Sequence, residues 1–154
     1  MIAYKKAGID ECELLAKTRV DFLCETNNGM NDIEKELLYQ NNKLYMASAL
    51  ANGSFVAWIA VEGEKIVATS GISFYALPPN RTCLNGQIAY ISNMFTYPEY
   101  RNRGIATKLF ALTVEEAKKT GCAKILLNAT DMGRPIYKKL GFTDTQNEMV
   151  YYVL

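Results

Sequence analysis

With 154 residues, 49% of them hydrophobic and 21% charged, the chain can bury one core of useful size without disulfides or metal ions. A formal net charge of +1, with no basic stretch that mixes with aromatics, argues against nucleic acid as a partner, and no apolar run is long enough to span a bilayer. The absence of histidine removes Ser-His, Cys-His and His-metal chemistry together, and Cys12, Cys24, Cys83 and Cys122 are too widely spaced for redox or zinc motifs.

Residues 2–6 form a short, partly alternating strand. Asp10 reads as the N-cap of a helix, with Glu11 and Glu13 in the first turn, where the dipole favours acids. Leu14, Leu15, Thr18, Phe22 and Leu23 follow at helical spacing, and Asn27-Asn28-Gly29 ends the helix. Asn31 or Asp32 caps a second helix. Its apolar face includes Ile33, Leu37, Leu38 and Leu44, and Asn52-Gly53 closes it. The period then changes to that of sheet. Runs 55–61 and 66–74 are strands, joined by a hairpin turn at Glu62-Gly63-Glu64-Lys65. Segment 76–86 is a loop, and 88–96 is a strand stopped by Pro98. An amphipathic helix spans 104–120, with Ile105, Leu109, Leu112 and Ala117 on or near one face and Gly121 at its end. A strand at 124–128, a short helix at 134–140 and a last strand at 149–153 complete the chain.

The order is therefore β-α-α-β-β-β-α-β-α-β, an α/β (α+β) arrangement in one domain, residues 1–154. Strands 88–96 and 124–128 flank a crossover helix and should run parallel. The remaining strands can pair antiparallel. The expected sheet is mixed and mostly antiparallel, with helices on both faces.

One loop carries chemistry of its own. Arg101-Asn102-Arg103-Gly104-Ile105-Ala106 turns directly into a helix. A helix N-terminus offers unpaired N–H groups and a partial positive charge, which suits an anion. Gly104 lets the backbone approach a ligand, Ala106 keeps the first turn clear, and Arg101 and Arg103 supply cationic arms. Neither the G-x-G-x-x-G nor the G-x-x-x-x-G-K-[ST] pattern occurs.

Segment 91–106 resembles the acetyl-CoA motif of the GNAT acyltransferase superfamily, whose loop reads [RQ]-x-x-G-x-[GA], here Arg101, Gly104 and Ala106. Downstream, Tyr137-Lys138-Lys139-Leu140-Gly141-Phe142 is similar to its Y-x-x-x-G-F element. With the element order, the resemblance spans essentially the whole chain and implies a GNAT-like fold and acetyl-CoA as cosubstrate. It implies that the pantetheine arm lies along Met94, Phe95 and Thr96. The pyrophosphate would sit on the amides of Arg103, Gly104, Ile105, Ala106 and Thr107, with Arg101 and Asn102 in the same loop. Tyr137 would be the general acid that protonates the departing thiolate, because a phenol near 10 is protonated at neutral pH and can donate to a thiol near 8.5.

The chain departs from the family where an asparagine often precedes this tyrosine by seven residues: that position is Thr130. Thr130 and Asn128 are both retained as pantetheine contacts. Strand 88–96 carries no acid, so the general base is open between Glu25, Asp32, Glu34, a water relayed by Ser92 or Asn93, and an amine that arrives neutral and needs none. The expected activity is direct N-acetyl transfer to a small-molecule or peptide primary amine. A non-catalytic acetyl-CoA sensor is the alternative. A cytoplasmic location is expected, with no metal, no nucleic acid and no membrane partner, and a homodimer is allowed.

Overall fold

The computed structural model describes residues 1–145 and 147–153. Five strands form one sheet in the order β1-β2-β3-β4-β5. They are β1 (Ala3–Lys6), β2 (Phe55–Glu62), β3 (Lys65–Ala76), β4 (Gln87–Thr96) and β5 (Lys124–Leu127). The first four pair antiparallel in sequence, and β4 pairs parallel with β5, as the crossover requires. The helices are α1 (Cys12–Thr26), α2 (Asp32–Asn52), α3 (Ile105–Lys119) and α4 (Arg134–Lys139).

The helices cover both faces of the sheet. On one side, Leu15 and Ala16 of α1 and Met46 and Ala49 of α2 pack on Phe55, Ala57 and Ile59. On the other, Phe110, Val114 and Ala117 of α3 and Tyr137 of α4 pack on Ile72, Ala89 and Ile91. Ser70 and Thr113, both buried, join β3 to α3 through a 2.7 Å hydroxyl pair, so neither desolvated hydroxyl is left unpaired. Among the described residues, no helix is long and apolar enough to cross a membrane.

Three sequence expectations change. The cap of the first helical segment is Gly8, not Asp10: Glu11 reaches back and accepts the Gly8 amide at 2.6 Å, and a 3-10 turn, Ile9–Glu11, leads into α1. On α2, Ile33, Leu37 and Leu44 are 74%, 58% and 70% exposed. Met46 and Ala49 are the buried positions, with Leu38, Tyr39 and Leu50 half-buried on the same side, so the covered stripe of α2 lies on the face opposite Ile33, Leu37 and Leu44. Residues 149–153 form no strand. Met149, Val150, Tyr151, Tyr152 and Val153 are exposed, without a ladder partner among the described residues. The cap of α2 is Asn31, whose side chain accepts the Glu34 amide at 2.9 Å while Glu34 accepts the Asn31 amide.

β4 carries an irregularity that matters for the site. Two steps along β3, from Thr69 to Gly71, face three along β4, from Ser92 to Phe95. The extra residue makes a bulge, and Asn93 within it takes φ 57°. Beyond Ile91, β4 continues for five residues with no β5 neighbour, because β5 stops at Leu127. That stretch has one open backbone edge.

Candidate active site

Pro98 cannot donate to a ladder, so the chain leaves the sheet after β4 and makes a 3-10 turn, Pro98–Tyr100. Asn102 and Gly104 then take φ 59° and 74° and swing the backbone into α3. Gly104 is the N-cap and has no side chain to cap with. Among the described residues, the amides of Arg103, Gly104, Ile105, Ala106 and Thr107 have no backbone acceptor. The first bond of the helix runs from Lys108 N to Gly104 O at 3.1 Å. Several donors and the positive end of a fifteen-residue helix thus point at one spot.

A cavity of about 540 Å³ begins at this spot. It runs past Met94, Phe95 and Thr96 on the open edge of β4 and reaches Thr130, Gly133 and Tyr137. Phe22 and Glu25 of α1 form the facing wall. Its mouth is an anion cradle and its length follows unpaired strand backbone. That combination fits a pyrophosphate followed by an amide-bearing arm.

The cavity takes in most of the residues expected from sequence. Met94, Phe95, Thr96, Arg101, Asn102, Gly104, Ile105, Ala106, Thr107, Thr130 and Tyr137 all line it. Arg103 and Asn128 do not. The Arg103 guanidinium lies 5.3 Å from the Tyr100 ring centre. Asn128 lines a separate depression with Arg134, Lys138 and Asp144. Of the two pantetheine candidates, Thr130 is the one at the cavity, and its hydroxyl accepts the Gly133 amide at 3.2 Å.

Arg101 does more than carry charge. Both Glu25 oxygens accept from its guanidinium at 2.6 Å, its Nε donates to Thr96 O at 2.9 Å, and it lies 5.9 Å from the Phe95 ring centre. It therefore ties the end of α1 to the end of β4 across the cavity wall. The same wall stacks Phe22, Phe95 and Tyr97 at centroid distances of 5.8 and 4.9 Å. Tyr97 donates to Asp21 at 2.5 Å, and burial together with that carboxylate pushes its phenol up to about 12.

Tyr137 is 6% exposed, its ring 4.8 Å from Phe110 and 6.5 Å from Phe142. Burial raises its phenol above the usual value, so it holds its proton through neutral pH. No side chain among the described residues bonds its hydroxyl. Gly133, one turn earlier, makes the space: a Cβ there would lie 2.6 Å from the Tyr137 oxygen. We expect Gly133→Ala to push that hydroxyl out of line and lower kcat by roughly tenfold or more while acetyl-CoA affinity changes little. Turnover and equilibrium binding measured on the same preparation test this.

The candidate bases separate. Glu34 is occupied in the α2 cap, and the Asp32 side chain is exposed to solvent. Glu25 lines the cavity but is held by Arg101. Asn93 is 2% exposed, and neither its amide nitrogen nor its oxygen has a partner among the described residues. Phe22, Met132, Gly133 and Ile136 also line the cavity and were not anticipated. Gly133 had a signal: a small residue four before Tyr137 lies on the same helical face. Phe22 had none, since only tertiary packing brings α1 to this wall.

Residues 19–142 match the acetyltransferase (GNAT) family. The fold superposes on a predicted acetyltransferase from Clostridium acetobutylicum, solved with acetyl-CoA, at TM-score 0.89 and 39% identity, covering 99% of this chain and 97% of that one. A GCN5-related N-acetyltransferase from Ralstonia eutropha JMP134 superposes at TM-score 0.87 and 27% identity over 99% of both chains. Glucosamine 6-phosphate N-acetyltransferase of Trypanosoma brucei brucei is 27% identical over 79 residues, 51% of this chain and 54% of that relative. The chain belongs to the GNAT family of acetyltransferases.

Proposed function

We propose that this enzyme moves the acetyl group of acetyl-CoA directly to a primary amine while both are bound. The observation that carries this reading is one continuous cavity, with free α3 amides at one end and the Tyr137 hydroxyl at the other. Acetyl-CoA supplies an activated thioester. The α3 amides hold its phosphates, the open edge of β4 aligns its arm, and Tyr137 donates a proton to the sulfur as it leaves. In this reading a β4 amide near Phe95 hydrogen-bonds the acetyl oxygen as charge develops there.

Direct transfer is favoured over an acetyl-cysteine. No cysteine lines the cavity among the described residues. Cys83 is buried in the loop before β4, and Cys122 donates to Ala117 O. Four unbridged thiols also suit a reducing compartment, so we assign the enzyme to the cytoplasm.

The test is thiol release from acetyl-CoA by purified protein against a broad amine panel. We expect release that depends on an amine and a product acetylated on nitrogen. Binding of acetyl-CoA without amine-dependent release, on every amine tried, overturns the assignment.

A further inference from the structure

Three of the five arginines are half-buried: Arg19, Arg101 and Arg134. Arg101 pairs with Glu25 and Arg134 with Asp144. Arg19 forms no ion pair among the described residues. Its guanidinium lies 5.5 Å from the centre of the Phe22 ring, and Phe22 lines the cavity. A guanidinium removed from water gives up solvation for its five donors, and buried charges are normally matched by an acid. Loss of water pulls its pKa down here, with no carboxylate opposing the shift.

The surroundings form a surface. Residues directly opposite in an antiparallel pair share a face, and the register sets Gly71 against Ser92, Ser73 against Tyr90 and Tyr75 against Ile88. The Phe55 ring covers Gly71 from the α1/α2 side, so this is the face that α1 and α2 meet. Tyr90, Tyr75, Ser73 and Ser92 therefore lie on Arg19's side of the sheet. Tyr45 of α2 joins them through a 2.8 Å bond to the Ser73 hydroxyl. Tyr45 and Tyr75 are exposed. Arg19 and these hydroxyls therefore share one side of the sheet, where burial together with the Glu148 carboxylate raises the Tyr75 phenol.

Phe22 connects this patch to the cavity. It carries Arg19 against its ring and also lines the wall beside Phe95. β4 separates the two sides: Tyr90 and Ser92 face α1, while Met94 packs with the α3 and α4 cluster. An acceptor on the α1 side would meet the acetyl group near the bulge.

We propose that Arg19, held against the cavity-lining Phe22, binds an anionic group of the acceptor, so that the substrate is a primary amine carrying a carboxylate or a phosphate. This rests on the acetyltransfer assignment above. Arg19 presents a planar fork that matches either anion.

The experiment compares n-alkylamines with ω-amino acids and ω-aminoalkyl phosphates of matched lengths, from three to six carbons. We expect kcat/KM for anionic acceptors to exceed that of the matched alkylamine by about tenfold to a hundredfold, and the better anion identifies the group. Arg19→Gln should collapse that ratio, through KM of the anionic acceptor, and Arg19→Lys should restore part of it. The acetyl-CoA dissociation constant of each variant serves as the control for folding. If neutral and anionic amines are used equally, or if Arg19→Gln leaves their ratio intact, the proposal is wrong. If acetyl-CoA binds and no anionic amine turns over, it is also wrong. If wild-type protein fails to bind acetyl-CoA, the acetyltransfer assignment itself falls and takes this proposal with it.

Discussion

Replacing Gly104 with tryptophan will raise the acetyl-CoA dissociation constant by at least about a hundredfold. Gly104 opens α3 and lines the cavity mouth, with unpaired amides following it. Hydrogen bonds from such amides to a charged phosphate contribute roughly 1.5–3 kcal/mol each, so two lost bonds account for an effect of that size. The variant must be distinguished from one that fails to fold. A Cβ at Gly104 would meet nothing within 4 Å, so bulk enters free space rather than the core. The positive φ of 74° is the only structural penalty, about 1 kcal/mol for a non-glycine residue. Gly104→Ala pays that same backbone penalty without filling the mouth. Calorimetry should therefore show near-normal binding for alanine and none for tryptophan, with similar melting temperatures for both. Equal binding by the tryptophan variant would remove the phosphate site from this loop.

Tyr137→Phe will lower kcat by about a hundredfold, in the range expected for loss of a positioned general acid. The ring stays, so packing on Phe110 and Phe142 is preserved. The hydroxyl bonds no side chain among the described residues, so its removal should leave stability within about 1 kcal/mol. Acetyl-CoA affinity should hold within a few-fold. The pH profile adds a second reading. Burial raises the Tyr137 phenol, so its protonated, active form extends beyond the ordinary tyrosine range. Activity should therefore not fall through deprotonation of this group between pH 7 and about 10. A wild-type rate in the phenylalanine variant would assign proton delivery elsewhere.

Much of this was written locally in the chain. The strand-turn-helix signals of 88–120 needed only Pro98, Gly104, Gly121 and the apolar spacing between them. The hairpin at Gly63-Glu64 and the Asn31 cap were equally local. What escaped depended on distance. Periodicity showed that Ile33, Leu37 and Leu44 share a face of α2, but not that the core is met by the opposite face, through Met46 and Ala49. The β-prone run 149–153 has the composition of a strand, but composition does not supply a neighbour. Arg101 was legible as a cation beside a helix start. Its bond to Glu25, 76 positions earlier, follows from how α1 lies against β4. Asn128 and Thr130 are two residues apart, and only the path of the loop after β5 brings Thr130 rather than Asn128 to the cavity.

The bulge in β4 also separates two kinds of information held by one strand. Ile91 and Met94 both pack toward α3, three residues apart instead of two, while Phe95 turns to α1. Omitting the extra residue would leave each of these side chains on its present face, because an ordinary strand alternates in the same sense. Only the main chain would change. The side-chain lettering of this strand encodes the fold, and the surplus residue encodes the opening beside it. Insertions and deletions, rather than substitutions, are therefore the changes by which this strand would gain or lose its place in catalysis while the core stayed intact.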